Sequence, residues 1–445
     1  MSSKDQRMAN AFDPATVAAL PAREQALIQR RQQVLGQAYR LFYEQPLHVV
    51  RGEGVWLYDP DGNAYLDVYN NVASVGHSHP RVVAAIASQA ATLNTHTRYL
   101  NDVILDYAER LLATLPADVS QAMFTCTGSE ANDLALRLAA NYSGGQGVIV
   151  TSHAYHGVTS SVAECSPAFG HNVPLGVHVR TVPAPDAYRH PDEGEDVGAR
   201  FTRHVEQAIA DLQRHGIRPA ALLVDTLFTS DGVFAEPAGF LAGAVEAIRA
   251  AGGLFIADEV QAGFARSGSH FWGFQRHGVI PDIVTMGKPM GNGHPIAGLV
   301  ARPEIIDAFG RQVRYFNTFG GNPVSCAAGM AVLDIIRDEG LQQNARDTGA
   351  YLKAGFETLA AKHALIGDVR GAGFFLGVEL VSDRQRKTAA TAETARIVNA
   401  LRQQRILISA TGPAGNILKL RPQLPFSRAN ADQLLGTLDE VLAGL

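Results

Sequence analysis

Cysteine is scarce in this chain. Cys126, Cys165 and Cys326 are the three in 445 residues, too scattered for a disulfide frame and without zinc-ligand spacing, which leaves them as small core residues. Charge is modest as well, at 18% of residues and a net -5. With no Lys/Arg-dense stripe, neither nucleic acid nor an anionic membrane surface is the expected partner. No apolar run approaches the ~18 residues of a membrane helix. The polar opening Met1–Met8 is followed by no apolar stretch, so a cytoplasmic enzyme is expected. Internal repeats and low-complexity segments are missing too. What is there is 46% hydrophobic residues, an ordinary globular composition in a chain long enough for a large core and two domains.

Residues up to about 50 read as amphipathic helix. Val49–Asp67 then alternates around Asp61-Gly62, which predicts a β-hairpin. Asn70–Pro80 reads as a loop, followed by a helix over Arg81–Gln89. His77 and His79 sit two apart in that loop with no acidic or thiol neighbour in sequence, a weak ligand pattern, and no metal is expected. From Ala108 into the 320s, apolar runs of strand length alternate with amphipathic helices. The runs are Gln121–Thr125, Gly147–Thr151, Ala220–Asp225, Gly253–Asp258, Asp282–Met286 and Ile296–Ala301. Continuous apolar strands with helical crossovers predict an α/β fold whose mostly parallel sheet is covered on both faces, with active residues at the strands' carboxyl ends. The polar stretch Asp186–Gly198 reads as a surface loop. After a long helix over Pro323–Asp338 come a second helix, a strand over Val369–Val381, a helix over Thr391–Gln403, two strands and a closing helix. This predicts a smaller α+β unit that the N-terminal hairpin joins. The expected division is residues 1–70 and 336–445 in the small domain and 71–335 in the large one.

Four strand ends carry chemistry, and a fifth carries the lysine they serve. Lys288 follows an apolar run and Gly287 and precedes Pro289, Gly291 and Gly293, so it reads as an ammonium delivered into a loop from a buried strand. Such a lysine lies in water or, if buried, forms a Schiff base with a carbonyl compound. Thr127-Gly-Ser-Glu-Ala-Asn132 opens a helix, with Gly128 permitting close backbone approach and Ser129 offering a hydroxyl beside free amides. It reads as a phosphate cradle, or as a plain helix cap made by Thr127 or Ser129. Tyr155 and His156 offer flat faces to an aromatic ligand or to the core. Asp258 ends a fully apolar strand and needs a partner, either a protonated ring nitrogen or Arg266 nearby. Thr318 and the glycines of Tyr315–Pro323 read as another anion-contacting loop.

Taken together, Gly-Ser-Glu-Ala-Asn, Tyr-His-Gly, Asp-Glu-Val-Gln-x-Gly-x-x-Arg, Gly-Lys and Asn-Thr-Phe-Gly-Gly-Asn-Pro resemble the class III aminotransferases, pyridoxal-phosphate enzymes of fold type I, over nearly the whole chain. The resemblance implies a seven-stranded sheet in the large domain. It implies that Lys288 binds the cofactor aldehyde and shuttles the proton, and that Asp258 pairs with the pyridine nitrogen. Gly128 and Ser129 would hold the cofactor phosphate, Tyr155 would stack on the ring with His156 beside it, Val260 would pack on the opposite face, and Gln261 would lie near the ring hydroxyl. Thr318 would reach the phosphate of a neighbouring subunit, giving a homodimer with shared active sites, alone or paired into a tetramer.

The substrate signals divide. Class III base rates favour transamination between a small, anionic amine or amino acid and a keto acid or aldehyde. Asn70–His77, Thr97–Asn101, Met286–Pro295 and Ile408–Pro413 look more like the family's amine phospho-lyases, which eliminate phosphate from ethanolamine phosphate or a related phosphorylated amine. Asn71, Arg98 and Arg421 would form an anion pocket, since guanidinium groups suit phosphate and carboxylate alike. Both arginines could instead make surface or interface salt bridges. Asp225–Phe234 departs from both patterns, and Ser230 stands where ω-transaminases place a glutamate that masks the substrate arginine. Arg421 is therefore expected to remain available to an anion.

Overall fold

The computed structural model describes residues 10–190 and 196–445. The expectations for Met1–Met8, and for residues 191–195 of the Asp186–Gly198 loop, lie outside them. The helix expected up to about residue 50 is a 3-10 turn over Pro14–Ala19 and one helix over Ala22–Leu35, which stops at Gly36 in the left-handed region at φ +66°. Three short strands follow: β1 (Arg51–Glu53), β2 (Trp56–Tyr58) and β3 (Ala64–Asp67). The expected hairpin is a three-strand meander, because the chain already reverses at Gly54, in the left-handed region at φ +55°. The second reversal is organised by Asp59, whose side chain accepts from the amides of Asp61 and Asn63.

The central sheet consists of β4 (Gln121–Thr125), β5 (Gly147–Thr151), β6 (Val179–Val182), β7 (Pro219–Asp225), β8 (Leu254–Asp258), β9 (Ile283–Met286) and β10 (Ala297–Ala301), in the order β4-β10-β9-β8-β7-β5-β6. Only β10 runs antiparallel to its neighbours within it. This is the mostly parallel, seven-stranded α/β fold expected. Side chains alternate between two apolar layers: Phe255 and Ala257 enter one cluster, Leu254 and Ile256 the other. Each fully buried Leu, Ile, Val or Phe contributes about 1.5–3 kcal/mol over its exposed state. Since both faces are covered, the open ground is the edge where β4, β5, β7, β8 and β9 all end.

The remaining strands are β11 (Ile366–Ala372), β12 (Phe375–Asp383), β13 (Thr388–Ala389), β14 (Ile406–Leu407), β15 (Ser409–Thr411) and β16 (Ile417–Leu420). The single strand expected over Val369–Val381 is two antiparallel strands, because Gly371 and Gly373 take φ +116° and +55° and turn the chain. β14 pairs in parallel with β3, so the two ends of the chain share one sheet. β11, β12, β16 and β15 form another. Among the described residues no helix is long and apolar enough to cross a membrane.

Candidate active site

The loop after β4 becomes the helix Gly128–Ser143, and a reciprocal cap fixes its start. Thr127 Oγ1 accepts from the Glu130 amide at 3.2 Å, while Glu130 Oε2 accepts from the Thr127 amide at 2.8 Å. With Thr127 as the cap, Ser129 is spared for other work. Its hydroxyl accepts from the Val158 amide at 3.0 Å and keeps its own proton to donate. The amides of Gly128 and Ser129 lie in the first turn, where no carbonyl of the helix can reach them. A Cβ at Gly128 would sit 3.0 Å from Val260 Cγ2, and one at Gly157 would sit 2.5 Å from Ser129 Oγ. Glycine at both places keeps this cradle open.

Asp258, at the end of β8, is buried and closely held. Its Oδ2 accepts from His156 Nδ1 at 2.7 Å and Asn132 Nδ2 at 3.0 Å, and its Oδ1 accepts only from the Val260 amide at 3.1 Å. Asn132 is oriented in turn by Thr285 Oγ1, which donates to its Oδ1, and by the His156 carbonyl, which accepts from its Nδ2. Oδ1 therefore retains capacity for one more donor. Arg266, the alternative partner of Asp258, instead donates to the Pro422 carbonyl.

Lys288 follows β9 in a short 3-10 turn and lines one cavity with Gly128, Ser129, Tyr155, His156, Gly157, Asp225, Asp258, Val260 and Gln261. The cavity contains about 440 Å³ of atom-free space, the solvent at its mouth included. Burial, helped by the nearby Arg421 charge and opposed by Asp258 and Asp225, pushes the Lys288 ammonium down to about 8. That gives a pH prediction for the cofactor-free chain. An ammonium held at 10.5 in the unfolded state and about 8 in the folded one penalises folding at every pH below 8. The unfolded state binds more protons between those values, so stability rises with pH across that window. Denaturant unfolding should show wild type gaining on the order of 2–3 kcal/mol relative to Lys288→Met between pH 8 and 10.5. A flat difference would contradict a buried Lys288.

The predicted substrate residues separate. Asn71 is buried with its Nδ2 unpartnered. Its loop is pinned to the lysine turn, for Ser74 Oγ donates to the Pro289 carbonyl and Asn292 Oδ1 accepts from the Val75 amide. Arg421 is buried beneath Tyr69, with its guanidinium carbon 4.3 Å from the ring centroid, and its amide donates to the Val68 carbonyl. Its Nη1 donates to Gln261 Oε1 at 2.6 Å, and its Nε has no acceptor. A neutral amide thus occupies Arg421, so its charge remains uncompensated by any carboxylate within ion-pair distance among the described residues. Gln261 Nε2 also donates to Thr229 Oγ1 at 2.6 Å. Arg98 and Thr318 do not reach the cavity within one chain. Both are exposed, Arg98 stacked on Phe316 at 3.8 Å. His77 and His79 serve different carboxylates, Asp67 and Glu339.

Asp225 and Asn132 were not among the predicted site residues. Asp225 pairs in register with Asp258 across β7 and β8 and lines the cavity, and burial followed by the Asp258 charge raises its pKa. Its signal was the one that exposed Asp258, a carboxylate ending an apolar strand. Asn132 lies in a motif already noted, but nothing in sequence spacing shows its reach to Asp258.

The arrangement fits pyridoxal phosphate: a glycine-kept cradle with free amides and a hydroxyl for the phosphate, an amine for the aldehyde, and a carboxylate with spare acceptor capacity for the ring nitrogen. The model of the family described as class-III aminotransferase matches residues 41–442. The alanine–glyoxylate aminotransferase 2-like protein of Drosophila melanogaster is 45% identical over 94% of this chain and 87% of its own length. The ethanolamine-phosphate phospho-lyase homolog 1 of Caenorhabditis elegans is 38% identical over 96% of each chain. A phospholyase from Arthrobacter, solved in complex with phosphoethanolamine, superposes with a TM-score of 0.91 at 44% identity, covering 94% of this chain and 100% of that one.

Proposed function

The chain belongs to the class III aminotransferase family of pyridoxal-phosphate enzymes, and from that premise we propose that it eliminates phosphate from a small phosphorylated amine such as ethanolamine phosphate. The observation that carries this reading is Arg421, a buried guanidinium occupied by a neutral amide and left without a carboxylate partner beside the Lys288 cavity. It favours an anionic substrate, and the likeness to a phospholyase solved with phosphoethanolamine favours phosphate as the anion. Transamination is the second reading, favoured by the 45% identity to the relative named as an aminotransferase.

Bound pyridoxal phosphate supplies an electron-withdrawing ring that stabilises negative charge at the amine-bearing carbon. In the proposed roles, Gly128 and Ser129 hold the phosphate, Tyr155 and Val260 flank the ring, and Gln261 lies toward its hydroxyl. Asp258 Oδ1 keeps the proton on the ring nitrogen, while His156 and Asn132 hold that carboxylate in place. Lys288 Nζ would hold the aldehyde until the substrate amine takes its place, and the amine so released would remove the proton from the amine-bearing carbon, a task suited to a free amine whose pKa has fallen to about 8. Arg421 and Asn71 orient the substrate anion, and Arg421 receives it as it leaves.

A homodimer with shared sites is part of the same reading. Tyr99, Leu100 and Phe319 are 66%, 102% and 68% exposed in the segments that carry Arg98 and Thr318, and an apolar surface of this kind calls for cover. The separate sheets support a division into residues 1–70 with 336–445 and residues 71–335. Incubation of the holoenzyme with ethanolamine phosphate and no keto acid should release phosphate and ammonia together. Turnover that requires a keto acid and releases no phosphate would reject elimination in favour of transamination.

A further inference from the structure

Lys419 lies in β16 and Arg421 follows one residue past its end, two residues and about 7 Å further along an extended backbone. It is 7% exposed and lies deep among other elements, paired in register with Gly377 of β12 and Ser409 of β15. Its Nζ stands 5.5 Å from the Phe375 ring centroid. Among the described residues no acceptor or carboxylate lies within hydrogen-bond or ion-pair distance of it. An unpartnered buried ammonium is costly. The roles proposed above leave it unused.

Lys419 does not line the Lys288 cavity, but it lies beside residues that do. The charged and titratable groups that act on it are Arg421, Asp225, Lys288 and Asp231, with His153 also within its field. Asp225 and Lys288 line the cavity. The neighbouring hairpin is moored over the loop after β7, where Thr411 Oγ1 donates to the carbonyls of Thr229 and Ser230. Two buried cations two residues apart, neither with a carboxylate within ion-pair distance among the described residues, match a ligand carrying more than one negative charge. A phosphate monoester carries about -1.5 to -2 near pH 7, which a carboxylate does not approach.

Resting on the reading of this enzyme as one that takes a phosphorylated amine, we propose that Lys419 is a specificity-determining residue. With Arg421 it forms a two-cation receptor that a phosphate monoester satisfies and a carboxylate does not. Burial, with the Arg421 charge beside it, holds the free ammonium well below its usual pKa, and an arriving dianion offsets both effects.

The test titrates inorganic phosphate and acetate into the holoenzymes of wild type, Lys419→Met and Lys419→Arg, read by calorimetry. The cofactor fills its own phosphate cradle in each. Wild type should bind phosphate more tightly than acetate. Lys419→Met should weaken phosphate by about tenfold or more with acetate nearly unchanged, and Lys419→Arg should restore it. Should the methionine variant not fold, Lys419→Gln carries the same comparison. Equal phosphate binding by wild type and the uncharged variant would overturn the proposal, as would a wild type that does not prefer phosphate. A Lys419 that serves only to balance Asp225 and Asp231 would alter melting temperature without altering that preference, which also overturns it. The two readings fail separately. Lys419-dependent phosphate binding without phosphate release from ethanolamine phosphate places the error in the reaction, whereas phosphate release that ignores Lys419 places it in the receptor.

Discussion

Replacing Lys288 with alanine lowers turnover by at least about 10⁴-fold, because one amine supplies both the covalent anchor and the base. The cofactor absorption of the holoenzyme should change in the same variant, since the cradle made by Gly128 and Ser129 remains but the amine that binds the aldehyde is gone. In the cofactor-free chain its melting temperature should not fall, for the substitution removes a buried ammonium whose pKa is depressed to about 8. Steady-state rates with ethanolamine phosphate, an absorption spectrum and a melting curve decide the matter together. Substantial turnover by Lys288→Ala would mean that another group performs the proton transfer.

Asp258→Ala is expected to cost about 10²–10³-fold in turnover with the fold retained, the scale of losing a preorganised charge next to developing charge. The variant leaves His156 Nδ1 and Asn132 Nδ2 without their shared acceptor, a loss of about 1–3 kcal/mol for each buried group left unsatisfied. Cofactor should still bind through the cradle and Lys288, so the defect belongs in turnover rather than in loading. Undiminished turnover would show that the ring nitrogen has some other partner.

The apolar strands and the chemistry at their ends were legible because burial on both faces leaves a continuous hydrophobic run, and a carboxylate or lysine closing such a run stands out. Asp258 and Lys288, thirty positions apart, do line one cavity. Pairing across strands was not legible. Asp225 lies beside Asp258 only through the register of β7 and β8. His156, read as a flat face for an aromatic ligand, donates through Nδ1 to Asp258 instead, and a sequence does not reveal which atom of a ring meets which neighbour. The absence of a glutamate at Ser230 was legible as a free Arg421; that Gln261 would reach across and hold it was not. The split of Val369–Val381 into two strands depended on the positive φ of Gly371 and Gly373, which an apolar pattern by itself does not convey. Arg98 and Thr318 lie on a surface that one chain leaves exposed, and spacing along a sequence does not reveal what meets such a surface.

Every role proposed for these residues depends on where the cofactor is attached. Borohydride reduction of the holoenzyme, followed by proteolysis and mass mapping, fixes that point covalently. The phosphopyridoxyl mass is predicted on the peptide carrying Lys288, and on no peptide of a Lys288→Ala preparation treated alike. Recovery of that mass on a different lysine in the wild-type protein would contradict the assignment on which every role proposed for this site depends.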